Sequence, residues 1–162
     1  MKIRKMQQKD YEKSAKLIKK VYLINNKHEG TKKATQMYVD RFDLTKKRNL
    51  AMFIRPTFKL VAEENGQIIG VLRGHGNKLG SLFVDPKHQR KGVATKLYKT
   101  FEKNARKYNT SIYIKSSLFA IPFYKRLGFK KTTGIRSWKN LPVKFQPMKK
   151  LLWFQISSQL FT

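Results

Sequence analysis

The chain has 162 residues, with 37 Lys plus Arg against 9 Asp plus Glu for a formal net charge of +28, and no cysteine. Disulfides, thiolate metal sites and a cysteine nucleophile are excluded, and His28, His75 and His88 are too scattered to form a metal cluster. Apolar residues make up 40% of the chain without any bilayer-length run, and the charged start lacks a signal peptide's apolar segment, so one cytoplasmic domain over residues 1–150 with no membrane partner is expected.

Ile3 to Met6 reads as a first strand, and Asp10 is placed to cap a helix through about Leu23, with Tyr11, Ala15, Ile18 and Tyr22 on one apolar face. Thr31 is placed to cap a second helix carrying Ala34, Met37 and Tyr38, before the polar stretch Thr45 to Asn49. Phe58–Glu63 and Gln67–Leu72 are strand-like and meet at Asn65-Gly66, a hairpin signal because both residues tolerate positive φ. Leu79–Val84 is the next strand, and Gly92 to about Lys107 is a helix with Val93, Leu97, Tyr98 and Phe101 at helical spacing. Ser111–Ser116 is a strand, Phe119–Leu127 a short helix closed by Gly128, and Phe129–Thr132 starts another strand. Val143–Met148 is a final strand, with Pro147 tolerable near an edge or bulge. The tail, residues 151–162, is more apolar than a free terminus and is expected to dock on this subunit or a neighbour, in a monomer or a homodimer.

Between Ser81 and Thr95 an apolar strand runs into a basic, glycine-containing turn that opens a helix. A helix N-terminus has backbone N–H groups without intrahelical partners and a partial positive charge, so it suits a diphosphate. Gly92 lets the backbone approach closely, while Arg90 and Lys91 add full charges. Neither G-x-x-x-x-G-K-[ST] nor a strand-borne G-x-G-x-x-G is present.

Gln89-x-x-Gly92-x-Ala94 resembles the Q/R-x-x-G-x-G/A pattern of the GNAT superfamily of N-acetyltransferases. Downstream, Ser117-x-x-Ala120-x-x-Phe123-Tyr124-x-x-x-Gly128-Phe129 resembles that superfamily's second signature, with Ser117 in place of the usual Asn. The resemblance implies an α/β (α+β) domain with a mixed, mostly antiparallel twisted sheet of six to seven strands and about four helices. It also implies acetyl-CoA as co-substrate and direct attack by a primary amine in a ternary complex. Backbone groups of Leu82, Phe83 and Val84 are then expected along the pantetheine arm, Gln89, Arg90, Lys91, Gly92, Val93, Ala94 and Thr95 around the pyrophosphate, and Ser117 beside the cofactor. Tyr124 aligns with the superfamily's general acid, and a phenol of pKa about 10 can protonate a thiolate of pKa about 8.5.

No general base is evident. The strand before the turn has no carboxylate, and Glu63 or Glu64, which alternation sends to opposite sides, is the base candidate acting through water, Glu63 first; turn-facing solvation is the simpler role for both. Asp85 before Pro86 reads as a turn former.

No acidic residue follows Glu102, and the resulting field attracts coenzyme A and nucleic acid alike, or reflects an evenly lysine-rich surface. It disfavours a polycationic acceptor. A non-catalytic nucleic-acid-binding protein on this scaffold is the alternative, with Tyr108, Tyr113 and Trp138 as stacking residues, although core positions are the simpler reading for them. An acetyltransferase acting on a ribosomal protein or aminoacyl-tRNA joins the two.

Overall fold

Asn65 and Gly66 both take positive φ, 50° and 72°, and fold β2 (Phe58–Glu64) back on β3 (Gln67–His75) as the hairpin signal requires. The computed structural model describes residues 1–153. Outside the hairpin lies β1 (Lys2–Lys5), antiparallel to β2. Beyond β3 come β4 (Lys78–Val84), β5 (Ser111–Ser116), β8 (Leu141–Leu151) and β6 (Lys130–Lys131), while β7 (Arg136–Trp138) also pairs with β8. Of these pairings β4 with β5 alone is parallel. The sheet has eight strands, one more than the upper expectation, because three-residue β7 is too short to show period-two alternation.

Residues alternate across the sheet. Val61 and Val71 pack under α1 (Tyr11–Asn25) and α3 (Lys47–Ile54), while Leu60, Ala62 and Leu72 pack under α4 (Val93–Ala105). A third cluster joins α1 and α2 (Lys32–Asp40) to β8 through Tyr22, Ala34, Val39, Leu141 and Val143. The fifth helix, α5 (Ile121–Arg126), lies on the α4 side with Tyr124 in that core. Gly70 and Gly74 let α4 sit close to β3: an added Cβ would come within 2.9 Å of Leu97 Cδ1 and 2.6 Å of Phe101 Cε2 respectively.

Several local expectations change. Thr31 does cap α2 by accepting from the Ala34 amide, but Asp10 makes no such bond at α1. Its carboxylate instead accepts from Arg4 Nη1 at 2.6 Å and from the Gln7 amide at 2.8 Å, and the Arg4 guanidinium holds it below its ordinary range. Helix α3 carries no helical apolar pattern because Phe53 is its one buried residue. Arg73 anchors it, donating to the Met52 and Phe53 carbonyls at 3.2 and 2.9 Å with its guanidinium carbon 4.3 Å from the Phe53 ring centroid.

Tyr108, Tyr113 and Trp138 are not core residues; they are 82%, 40% and 38% exposed. Pro147 lies in an interior strand, opposite Lys115. Its carbonyl accepts from the Thr132 N–H, so its missing donor faces the same side, just beyond the end of β6. The boundary expected between domain and tail after residue 150 falls inside β8, and Leu152 is buried in the main core with its amide on the Thr110 carbonyl. Residues 154–162 of the expected docking tail lie outside the described residues. Among the described residues, no helix is long and apolar enough to cross a membrane.

Candidate active site

Strands β4 and β5 pair only at Lys78↔Tyr113 and Leu79↔Ile114. Beyond that point they separate. The cause is visible in the β3–β4 register, which passes from Gly74↔Leu79 to Arg73↔Ser81 and leaves Gly80 as an extra residue that bends β4 away. A cavity of about 880 Å³ fills the wedge, lined by β4, β5, β8 and the ends of α1, α4 and α5.

On the β4 side, the Asp85 amide pairs with the Ile69 carbonyl. Antiparallel alternation therefore turns the backbone groups of Leu82 and Val84 toward the wedge and those of Phe83 toward β3. All three residues line the cavity, but Phe83 contributes its side chain rather than its amide. The Val84 carbonyl is already occupied, accepting from Gln89 Nε2 at 3.0 Å. Gln89 thus ties the loop to the strand. Asp85 stiffens the same corner, accepting from the Lys87 amide at 3.0 Å and from Lys20 Nζ of α1 at 2.6 Å.

The loop then makes two left-handed steps, Arg90 at φ 61° and Gly92 at φ 80°, and enters α4. No side chain caps this helix, and no acidic residue stands in its first turn. The first hydrogen bond from within α4 back to its N-cap runs from the Lys96 amide to the Gly92 carbonyl, so the Val93, Ala94 and Thr95 amides precede any such acceptor. Arg90, Gly92, Val93, Ala94 and Thr95 line the cavity, whereas exposed Lys91 does not. A Cβ on Gly92 would meet nothing within 4 Å, so its positive φ is the requirement the fold itself imposes.

Across the wedge, Ser117 Oγ accepts from the Ala120 amide at 3.2 Å and holds the turn into α5. That helix presents Tyr124, 4% exposed, with its ring edge-on to Phe129 at 5.5 Å between centroids. Its hydroxyl makes no hydrogen bond among the described residues, and burial pushes the phenol above its ordinary pKa. It stays protonated. The residue lines the cavity with Ser117 and the α4 entrance.

Glu63 is elsewhere. On β2, separated from β4 by β3, it accepts from Arg4 Nε at 2.7 Å, while Glu64 lies 3.6 Å from the N-terminal amine. Neither lines the cavity. The carboxylate that does is Glu29, from the loop between α1 and α2, and among the described lining residues it is the single acid. It is 5% exposed, and Oε1 accepts from Asn26 Nδ2 and from the Phe119 amide, each at 3.0 Å. Burial raises its pKa, against the downward pull of the Phe119 and Leu118 amides and of Asn26. The Lys144 amide donates to the Glu29 carbonyl, and Gly30 bridges to Val143, so the loop is stitched to β8. Sequence reasoning passed over Glu29 because a loop acid has no periodicity; the signal available was one acid between two asparagines and a glycine.

A strand pair opened by a bulge over an uncapped helix N-terminus matches a known family in sequence as well. A family model for the acetyltransferase (GNAT) domain matches residues 27–152. The chain belongs to this acetyltransferase family. No curated protein sequence matches it. Among solved structures, the acetyltransferase shares its fold with a GCN5-related N-acetyltransferase of Rhodopseudomonas palustris, with TM-score 0.79, 17% identity, and coverage of 93% of this chain and 95% of that one. It is similarly close to the PaiA N-acetyltransferase of Thermoplasma acidophilum in complex with coenzyme A, with TM-score 0.71, 18% identity and coverage of 93% and 98%. An aminoglycoside 6'-N-acetyltransferase of Enterococcus faecium is more distant, with TM-score 0.67, 12% identity and coverage of 96% and 99%. Among the described residues no cluster of His, Asp and Glu suited to a metal forms around the acetyltransferase site.

Proposed function

We propose that this acetyltransferase transfers the acetyl group of acetyl-CoA to a primary amine by direct attack in a ternary complex. The observation that carries this reading is the β4–β5 wedge, which brings the α4 entrance, the β4 backbone edge and Tyr124 into one cavity. The amides of Val93, Ala94 and Thr95, with Arg90, hold the pyrophosphate. The free backbone groups of Leu82 and the Val84 amide pair with the pantetheine arm like an added strand, and an N–H there faces the thioester oxygen as charge develops.

Glu29 takes one proton from the acceptor ammonium. The neutral nitrogen attacks the thioester carbonyl, the C–N bond forms and the C–S bond breaks. Tyr124 gives its proton to the departing thiolate, and the second amine proton leaves through water and restores the phenol. A buried carboxyl suits the first step because its raised pKa lies closer to that of an amine than an exposed acid's does.

Isothermal titration with acetyl-CoA tests the reading. Binding that weakens on Arg90→Ala supports it; no heat with the wild-type chain overturns it.

A further inference from the structure

We infer that the acceptor carries a single positive charge on a flat, apolar body, and that polyamines and aminoglycosides are excluded by the cavity itself. The inference rests on the transferase reading and concerns the lining of the same cavity.

Among the described residues the cavity lining includes one acidic residue, Glu29, and four basic ones, Arg90, Lys115, Arg126 and Lys144. One ammonium therefore finds one partner. A second, several ångströms away on the same molecule, meets only lysine or arginine along the lining, and like charges repel. The field of the whole chain, +28, acts in the same direction on approach.

The walls set the body of the acceptor. Trp138 and Phe145 lie 5.1 Å apart between centroids, and Lys115 Nζ sits 3.9 Å above the Trp138 ring and 5.2 Å from that of Phe145. This aromatic pair already takes one ammonium against its ring faces. On the other side Tyr22 and Tyr38 stack at 3.8 Å with 16° between planes, and the buried Tyr22 hydroxyl has no hydrogen-bond partner among the described residues. Flat apolar surfaces thus flank the lone acid. The ring faces themselves offer the hydroxyls of a sugar no donor or acceptor.

The test compares 2-phenylethylamine, spermidine and kanamycin by initial rates of thiol release, using the full chain, with acetyl-CoA binding measured separately by calorimetry. Expected is a kcat/KM for 2-phenylethylamine at least 30-fold above those for the two polycations. Lys115→Glu adds a second carboxylate and narrows the ratio against spermidine at least fivefold. Trp138→Ala raises the KM for 2-phenylethylamine about tenfold with kcat within threefold of wild type. Spermidine or kanamycin turned over as well as the monoamine overturns the inference. So does turnover of none of the three by a chain that binds acetyl-CoA, or an unchanged ratio in Lys115→Glu, or an unchanged KM in Trp138→Ala. Absence of acetyl-CoA binding overturns the transferase reading beneath it instead.

Discussion

The Glu29 carboxylate accepts a hydrogen bond from the backbone amide of Phe119, 90 positions further along the chain, at 3.0 Å. That contact fastens the loop between α1 and α2 to the segment that opens α5, and so places the proposed base and Tyr124 on one frame.

Glu29→Gln is expected to lower kcat/KM by about 100-fold, in the range of general-base catalysis. Wild-type activity should fall as pH drops through the raised Glu29 pKa, and that acidic limb should disappear in the variant. A carboxyl whose folded pKa lies above its unfolded one destabilises the native state above both values and not below the unfolded value. The variant should therefore match or exceed wild-type Tm at pH 8, with any gain shrinking toward pH 4. Thermal melts and pH–rate profiles check both; an intact acidic limb in the variant removes Glu29 as the base.

Tyr124→Phe should reduce kcat by about 10- to 100-fold. Acetyl-CoA affinity should stay within about threefold, and Tm should hardly move because the hydroxyl makes no hydrogen bond among the described residues. Stopped-assay turnover beside calorimetry separates the effects. Equal turnover in the two proteins would assign Tyr124 to packing alone.

Arg90 and Lys91 should differ although they are neighbours. Arg90 lines the cavity in a left-handed conformation and Lys91 does neither. Arg90→Gly is expected to relieve about 1 kcal/mol of backbone strain, raising stability, while weakening acetyl-CoA binding and reducing its salt dependence. Lys91→Ala should change affinity less than Arg90→Ala. Titrations at two ionic strengths decide it, the reverse ranking counting against the loop assignment.

Gly74→Ala tests the seating of α4. The new methyl would lie 2.6 Å from Phe101 Cε2 and 3.0 Å from the Lys78 carbonyl, and backbone cannot easily yield. Overpacking of this kind costs about 1–3 kcal/mol. Chemical denaturation should show that loss with acetyl-CoA affinity also reduced, because the α4 entrance moves with the helix. Wild-type stability would mean that the β3–α4 contact is looser than described.

The legible part of this protein was local. Asn65-Gly66 dictated a hairpin because both residues accept positive φ, Thr31 capped its helix, and the apolar spacing of Val93, Leu97, Tyr98 and Phe101 turned one face of α4 into core. The turn from Val84 to Gly92 was readable for the same reason: strand, loop and helix entrance are contiguous. Helix α3 was not, since one buried phenylalanine makes no period and Arg73, from another element, supplies its anchor.

Sequence by itself determined the hairpin, the glycine turn and the α4 entrance, products of backbone preference and short-range periodicity, while Tyr124 stood out only through its match to the GNAT signature. Tertiary structure alone decided which of the nine acids lines the cavity. Glu63 met Arg4 across a strand pair, while Glu29 was enclosed by Asn26 and the Phe119 amide. Burial and charge pairing depend on segments far apart in the chain, and those are the quantities that set a carboxylate's basicity.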